Sequence, residues 1–263
     1  MYTYSHEHQM YLKKLKRTHS ATLFLQFFIA ICFFALWELA ARCHWINSFL
    51  FSSPFSIFQT LCDLFQSGEL FHAIWVTLYE VFISFSLSSV LGIFFAFLFW
   101  SHSFCYKVVD PYLTILNSLP KVSLGPLIII WVGASMNSII FMALTISLFT
   151  TILSIYHGFV SVYSPYITMA KSFGANKYQI FFKIIFPSNF STIISALKIN
   201  ISLNLIGVIM GELLVSKAGL GYLIMYGSQV FNLDLVISSV ALLALISYVM
   251  YYLIEKLQKR IQK

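Results

Sequence analysis

The sequence predicts an all-α, polytopic membrane protein with six transmembrane helices. Hydrophobic residues make up 59% of its 263 residues and charged residues only 10%, whereas soluble domains average about 25% charged residues. A chain of this composition cannot cover itself with a water-compatible surface. Its apolar residues also gather into runs of about 20 residues or more, the length that a helix needs to cross a bilayer.

The amino-terminal residues 1–20 are polar and basic and are predicted to form a cytoplasmic tail. The apolar run 21–41 follows this tail. The apolar core of a cleaved signal peptide holds about 7–15 residues, so the longer run is predicted to stay in the protein as the first span. His6 and His8 are interpreted as solvated side chains, and no spacing of cysteine and histidine indicates a metal site.

Residues 21–263 are predicted to form one transmembrane domain. Pro120 and Pro126 are expected to break its third span, because proline has no amide hydrogen for a helix interior. A short polar turn is predicted at 101–107 and a glycine-rich interval at 216–234. The five spans after the first are predicted at 78–100, 108–132, 138–160, 189–215 and 235–254.

The basic residues predict the orientation of the chain. Six spans put both termini on one side, and cytoplasmic segments of membrane proteins carry the excess of lysine and arginine. On one side of the predicted topology only Arg42 and Lys217 are basic. The other side carries twelve basic residues: Lys13, Lys14, Lys16, Arg17, Lys107, Lys171, Lys177, Lys183, Lys256, Lys259, Arg260 and Lys263. We therefore expect a multi-pass protein of the cell membrane with cytoplasmic termini. The basic residues form no patch for a nucleic acid.

Polar and small residues follow one side of the predicted fifth span. Two interpretations remain open for this stripe: close packing of helices, or the wall of a translocation path. Two amides one turn apart favour the path, and the glutamate beside the stripe is a candidate for it, although it is expected near the outer water. The candidate path residues are Asn200, Asn204, Gly207, Gly211 and Glu212. Similar stripes of serine, threonine and glycine in the second and fourth spans favour packing.

The chain lacks the motifs of an energy source or of catalysis. It has no G-x-x-x-x-G-K-[ST] loop for nucleotide phosphates. It also shows no paired carboxylates, no serine–histidine–aspartate arrangement and no series of buried titratable groups for proton transfer. We therefore predict no catalytic residue and no cofactor in this chain, and an energy source in another subunit.

The polar interval 163–187 separates the fourth span from the fifth. It is predicted to form a short helix, a turn at 174–176 and a second helix over 177–186 that ends at Pro187. Such an ordered segment is larger than a connection between two spans requires. It is therefore interpreted as a docking surface on the cytoplasmic side, with an amphipathic helix on the membrane surface as the alternative.

This interval resembles the signature loop of ABC importer permeases. The family pattern has Glu-Ala-Ala, three residues, a glycine, nine residues and Ile-x-Leu-Pro, and the spacing agrees throughout. Thr168 stands in place of the acidic residue. The matching positions are Thr168, Met169, Ala170, Gly174, Ile184, Phe186 and Pro187.

The resemblance extends over roughly residues 30–255. Over this range the chain is similar to the nitrate/sulfonate/taurine branch of type I importer permeases. The motifs that carry it are LWELA at 36–40, LPKV at 119–122 with GPL at 125–127, and ELL at 212–214 followed by AGLGYLI at 218–224. It implies a type I permease fold, a homodimer with a central path, two ATPase subunits that bind ATP, and an extracytoplasmic solute-binding protein.

The same resemblance assigns residues 163–187 as the loop that couples the permease to the ATPase. It implies that Met169, Phe173, Ile180, Phe181 and Ile184 supply the apolar docking face. The coupling residues are Thr168, Met169, Ala170, Phe173, Gly174, Ile184 and Pro187. The expected solute is a nitrate-, sulfonate- or taurine-like ion, or alternatively a vitamin precursor such as a thiamine pyrimidine. A secondary transporter and an integral membrane scaffold or enzyme remain alternatives of another class.

Overall fold

The computed structural model describes residues 6–261, and all the regular structure in this range is helical. The first five residues of the predicted tail, and Lys263, lie outside the described residues. In chain order the helices are α1 His6–Arg42, α2 Ser48–Phe51, α3 Pro54–Gln66, α4 Glu69–Ser101, α5 Ser103–Ser118, α6 Gly125–Val132, α7 Met136–Val160, α8 Ser164–Ser172, α9 Lys177–Ile180, α10 Phe186–Ser188, α11 Phe190–Val215, α12 Leu220–Gln229 and α13 Leu233–Ile261.

Within the described part of the chain, five helices are long and apolar enough to cross a membrane: part of α1, α4, α7, α11 and part of α13. The pair Ser103–Ser118 and Lys121–Val132, bent by 86°, makes a sixth when it is counted as one broken span. The break falls at Pro120, as the sequence predicts. Pro126 does not break the helix, because it lies in the first turn of α6, where no amide bond is lost.

Helix α7 lies between α4 and α11, and small residues set how closely the three approach. A Cβ added to Gly207 of α11 would lie 2.4 Å from the Cα of Ala143 in α7. A Cβ on Gly92 of α4 would lie 2.6 Å from a methyl group of Thr151. The close contacts support the packing interpretation of the second and fourth spans. Ser154 is only partly buried and Ser161 is exposed, whereas the other stripe residues are buried: Ser84, Ser88, Gly92, Ala96, Ser147, Thr151 and Gly158.

The remaining helices lie around this core. In the apolar stretch Ser20–Arg42 of α1 only Ala41 is buried in the chain, and the carboxyl end of this stretch is tied to α3 by Glu38. This carboxylate pairs with Arg42 at 2.7 Å and accepts the backbone N–H of Phe55 at 3.1 Å. Glu38 is therefore satisfied at a helix end.

Several boundaries differ from the sequence-based expectations because helices continue through polar residues. Helix α1 begins at His6, so the described part of the predicted tail is helical. Helix α4 begins at Glu69, nine residues before the expected start at 78, and only His102 separates it from α5. The glycine-rich interval contains the ten-residue helix α12, whose Gly221 and Gly227 are buried against neighbouring residues.

Candidate functional site

The interval 163–187 forms two short helical segments joined by a tight turn, as predicted. Gly174 ends the first segment with φ of +77°, a left-handed conformation that favours glycine. Asn176 starts the second: its side chain accepts the N–H of Gln179 at 2.8 Å, and the Gln179 side chain accepts the N–H of Asn176 at 2.9 Å. The turn is therefore fixed by local chemistry.

Pro187 does not end the second segment, contrary to the prediction. A π-helical turn at Phe181–Ile185 precedes α10, and the N–H of Phe186 donates to the carbonyl of Phe181. Pro187 has no amide hydrogen, and the widened turn accommodates it without stopping the helical path. The segment is thereby joined to α11 almost without interruption, apart from Asn189.

The loop is anchored to the ends of two spanning helices through Phe181. The ring of Phe181 is buried and its centre lies 4.5 Å from that of Phe97, 4.9 Å from that of Trp100 and 5.1 Å from that of Phe159. Lys177 adds a polar tie: its Nζ donates to the carbonyl of Ser101 and lies 5.7 Å from the centre of the Trp100 ring. The loop, α4 and α7 are therefore linked by direct contacts.

The outer face of the loop is an apolar groove of about 490 Å³. Ala170 is buried at its base, while Phe173 has 84% of its surface exposed and Met169 55%. The predicted docking face needs a correction here, because Ile180 and Phe181 are buried within this chain. The side chains left for a partner are Met169 and Phe173, with Ile184 partly exposed.

Thr168, at the position of the family acid, is exposed on α8. Its hydroxyl donates to the carbonyl of Ser164 at 3.2 Å, one turn earlier in the same helix. The hydroxyl of Ser172 in turn donates to the Thr168 carbonyl at 3.1 Å. Helix α8 thus carries Thr168 and also supplies Met169 and Ala170 to the groove, whereas neither Thr168 nor Pro187 is among the residues that line it.

The two amides of the candidate path lie in the interior of the chain. Asn204 Nδ2 donates to Ser88 Oγ at 3.0 Å and to Asn200 Oδ1 at 2.8 Å, and Asn204 Oδ1 accepts from Ser147 at 3.3 Å. Asn200 Nδ2 donates to Ser89 at 2.9 Å. Both side chains are fully buried and link α11 to α4 and α7. Their participation in a translocation path stays a prediction.

Glu212 is buried as well, and protein groups rather than outer water satisfy its carboxylate. Thr77 Oγ1 donates to Oε1 at 2.7 Å and the N–H of Gly221 donates to Oε2 at 2.5 Å. A Cβ on Gly219, whose φ is +104°, would lie 2.3 Å from Oε1. The expectation of nearby water is therefore wrong for Glu212, which ties α11 to α4 and to the start of α12.

Sequence reasoning missed Thr77, because it lies one residue before the predicted second span. No motif in the preceding residues of α4 indicates that Thr77 has a functional role. Gly211 and Gly207 continue the stripe towards Glu212, and a Cβ on Gly211 would lie 3.0 Å from the Cα of Ile139. Among residues 6–261, no group of three or more histidine, cysteine, aspartate or glutamate side chains could hold a metal ion.

Comparisons with known proteins show which family the chain belongs to. A family model described as "Binding-protein-dependent transport system inner membrane component" matches residues 88–263. The formylaminopyrimidine transport permease protein ThiX of Halalkalibacterium halodurans is 28% identical over 244 residues, which cover 93% of this chain and 96% of the relative. A protein of Escherichia coli K12 named SsuC, for aliphatic sulfonates transport, is 25% identical over 219 residues, which cover 83% of each.

A solved structure supports the fold. A chain of a bacterial ABC transporter involved in the import of the acidic polysaccharide alginate superposes with a TM-score of 0.65 at 18% identity. The superposition covers 97% of this chain and 100% of that one. The fold is therefore that of type I ABC importer permeases.

Proposed function

This chain belongs to the family of binding-protein-dependent transport system inner membrane components, and we propose that it carries a small solute through the membrane while its 163–187 loop couples to a separate ATPase. It is a permease component of an ABC importer, a class in which ATP hydrolysis resides in other subunits. The observation that carries the coupling proposal is the exposed groove at Met169 and Phe173, on a loop anchored to α4 and α7.

The groove has the properties of a docking site for a partner helix or cleft. Contiguous exposed apolar surface commonly marks an interaction site, and Met169 and Phe173 line such a groove on the side assigned to the cytoplasm. Burial of such surface contributes about 25 cal/mol per Å². Because Phe181 and Lys177 fix the loop to α4 and its neighbours, movement of a docked ATPase would be transmitted to the spans as rigid bodies.

The proposed solute is a small organic or inorganic compound with an oxyanion group, such as a sulfonate, nitrate or the zwitterion taurine. Similarity to SsuC supports it. The vitamin-precursor alternative is supported by the similarity to ThiX, a formylaminopyrimidine permease that aligns over 93% of this chain. The two solutes differ in charge, so uptake assays with a sulfonate and with a formylaminopyrimidine distinguish them.

The proposed assembly is a homodimer in the lipid bilayer with two ATPase subunits and an extracytoplasmic binding protein. Large apolar side chains cover the outside of α1, as expected for contact with lipid or with a second copy. Both termini and the 163–187 loop are assigned to the cytoplasm by the distribution of lysine and arginine. The buried stripe of α11 then serves to hold together the helices that line the path.

Reconstitution of the permease with its ATPase and binding protein in proteoliposomes tests the proposal. Uptake is expected to require ATP and the binding protein and to persist when ion gradients are collapsed. Uptake that follows an ion gradient and ignores ATP would show a secondary transporter instead. Failure of the ATPase to copurify with the permease in detergent would favour a scaffold or enzyme and would contradict the coupling role.

A further inference from the structure

Lys121 lies at the break in the third span, beside the middle of the spanning helix α7. Its Nζ donates to the backbone carbonyl of Ile146 at 3.1 Å. Ile146 lies 10 residues after Met136 and 14 before Val160, the ends of α7, or about 15 Å and 21 Å along the helix axis. Ionised groups at this depth are rare and commonly functional.

The groups that contact this ammonium are neutral. Besides the Ile146 carbonyl, Nζ donates to Asn117 Oδ1 at 2.9 Å and lies 5.8 Å from the centre of the Phe149 ring. Among the side chains that the structure describes, no carboxylate is paired with it. The ion pairs found among them are Arg42 with Glu38 and Lys259 with Glu255.

Lys198, the other lysine within a span, has a different environment. Its Nζ lies 5.2 Å from the centre of the Tyr251 ring, which is one helical turn before Glu255 near the end of α13. Lys198 is thus close to an acidic group of this chain, whereas the charge of Lys121 has no compensating group among the described residues. A charge in a low-dielectric region is stabilised by an opposite charge.

The hydrogen bonds also fix the orientation of the Asn117 side chain. Its Oδ1 accepts from Lys121 Nζ and from Thr150 Oγ1, each at 2.9 Å. A lysine can only donate, so the oxygen of the amide must face it. The Nδ2 group therefore points away, and among residues 6–261 it has no hydrogen-bond acceptor. Two of the three N–H groups of the ammonium are used, which leaves the third free as well.

We propose that Lys121 and Asn117 form an anion-binding site on the translocation path, at the break between α5 and α6. The free ammonium N–H of Lys121 and the Nδ2 group of Asn117 would donate hydrogen bonds to a solute bound at the break. The negative charge of the solute would compensate the charge of Lys121. The ligand class is a small anion with acceptor oxygens, such as a sulfonate or nitrate. Discontinuous spans form such sites in other transport proteins. The proposal rests on the permease function and specifies its solute.

Thiol labelling tests the site without knowledge of the natural solute. Ser118, exposed beside Asn117, is replaced by Cys in a full-length chain whose four cysteines are changed to Ser, purified with its ATPase. The modification rate is measured with an anionic and with a cationic methanethiosulfonate reagent, and each rate is divided by the rate of the same reagent with a free thiol in solution. The anion-to-cation ratio is the quotient of the two normalised rates. A unit charge about 6 Å from the thiol changes such a ratio about tenfold in water, so the anion-to-cation ratio is expected to fall by about that factor in Lys121→Gln.

Lys198→Gln is the matched control, because it removes the other lysine of the spans and should leave the ratio at residue 118 unchanged. A ratio that Lys121→Gln does not change would overturn the proposal. So would the absence of any reaction at Ser118→Cys in both the nucleotide-free and the ATP-bound complex, because the site would then be closed to water.

Uptake by the reconstituted transporter separates this site from the permease function itself. We expect Lys121→Met to reduce methanesulfonate uptake at least tenfold and Lys121→Arg to retain most of it, with melting temperatures in detergent within a few degrees of the parent. Normal, ATP-dependent uptake in Lys121→Met would refute the anion site and leave the permease function intact. ATP-independent uptake by the unmodified protein would refute the permease function.

Discussion

The coupling loop exposes apolar side chains, whereas the α4–α7–α11 core buries polar ones. In the loop, Phe173 and Met169 are exposed, whereas in the core Asn200 and Asn204 are fully buried. The buried amides are satisfied by partners in the same chain, and the exposed apolar side chains have none within it. The two core amides thus have their partners in one chain, whereas the loop leaves apolar surface for the ATPase that is proposed to dock there.

The difference explains what each region can tolerate. Core positions are constrained by backbone contacts, since added atoms at Gly207 would meet the Cα of Ala143. In the loop, a Cβ on Gly174 would meet nothing within 4 Å, and only its backbone conformation restricts the residue. Substitutions in the core should therefore reduce stability, whereas those in the loop should reduce coupling.

Gly207→Val should have the largest effect. Its side chain cannot be placed without moving α7 from α11, at a cost of about 3 kcal/mol, so the folded protein should be lost from the membrane fraction. Thermal unfolding in detergent measures the effect, with Ser202→Ala on the exposed side of α11 as the control. A normal melting temperature for Gly207→Val would contradict the close approach of the two helices.

Phe173→Ala should separate function from stability. Loss of a central aromatic anchor weakens docking by about 2 kcal/mol, so ATP-dependent uptake and copurification of the ATPase should fall more than tenfold at an unchanged melting temperature. Tyr178→Ala removes an exposed aromatic residue of the same loop outside the groove and should behave like the parent. Equal losses in the two variants would place the docking contact elsewhere.

Asn204→Ala should destabilise the core by a smaller amount. It removes the bonds to Ser88, Asn200 and Ser147, and interhelical hydrogen bonds in membranes contribute about 1 kcal/mol. The melting temperature should decrease by a few degrees while the solute affinity of the remaining folded transporter stays unchanged. A change of affinity at unchanged stability would instead support a direct role of this amide in the path.

Thr168→Glu should have the smallest effect. It restores the acid of the family pattern at an exposed site of α8, where substitutions usually change stability by no more than about 0.5 kcal/mol. We expect no change in melting temperature and an uptake rate within about threefold of the parent. A large gain in the ATPase-coupled rate would show that the missing acid limits coupling in this protein.

The sequence was sufficient for features that depend on local composition. Apolar runs place the spans, Pro120 places the break of the third one, and Gly174 with Asn176 places the turn of the loop, because each depends on residues close together in the chain. Helix ends were less accurate. Polar residues such as His72 and Thr77 lie inside a helix here, and composition alone does not distinguish such residues from those that end one.

What the sequence by itself determined is the all-helical membrane architecture, the family spacing of the loop and the residue types along each helix face. Only the tertiary structure decided which of those helix faces are already covered by packing or hydrogen bonds within the chain. It buried Ile180 and Phe181 against α4 and α7 and enclosed Glu212 with Thr77 and Gly221. Among the described residues it left the Phe173 ring exposed and Lys121 hydrogen-bonded only to neutral groups. The physical reason is that the packing and hydrogen-bond partners of a side chain come from residues distant in sequence. Periodicity along one helix does not specify those residues.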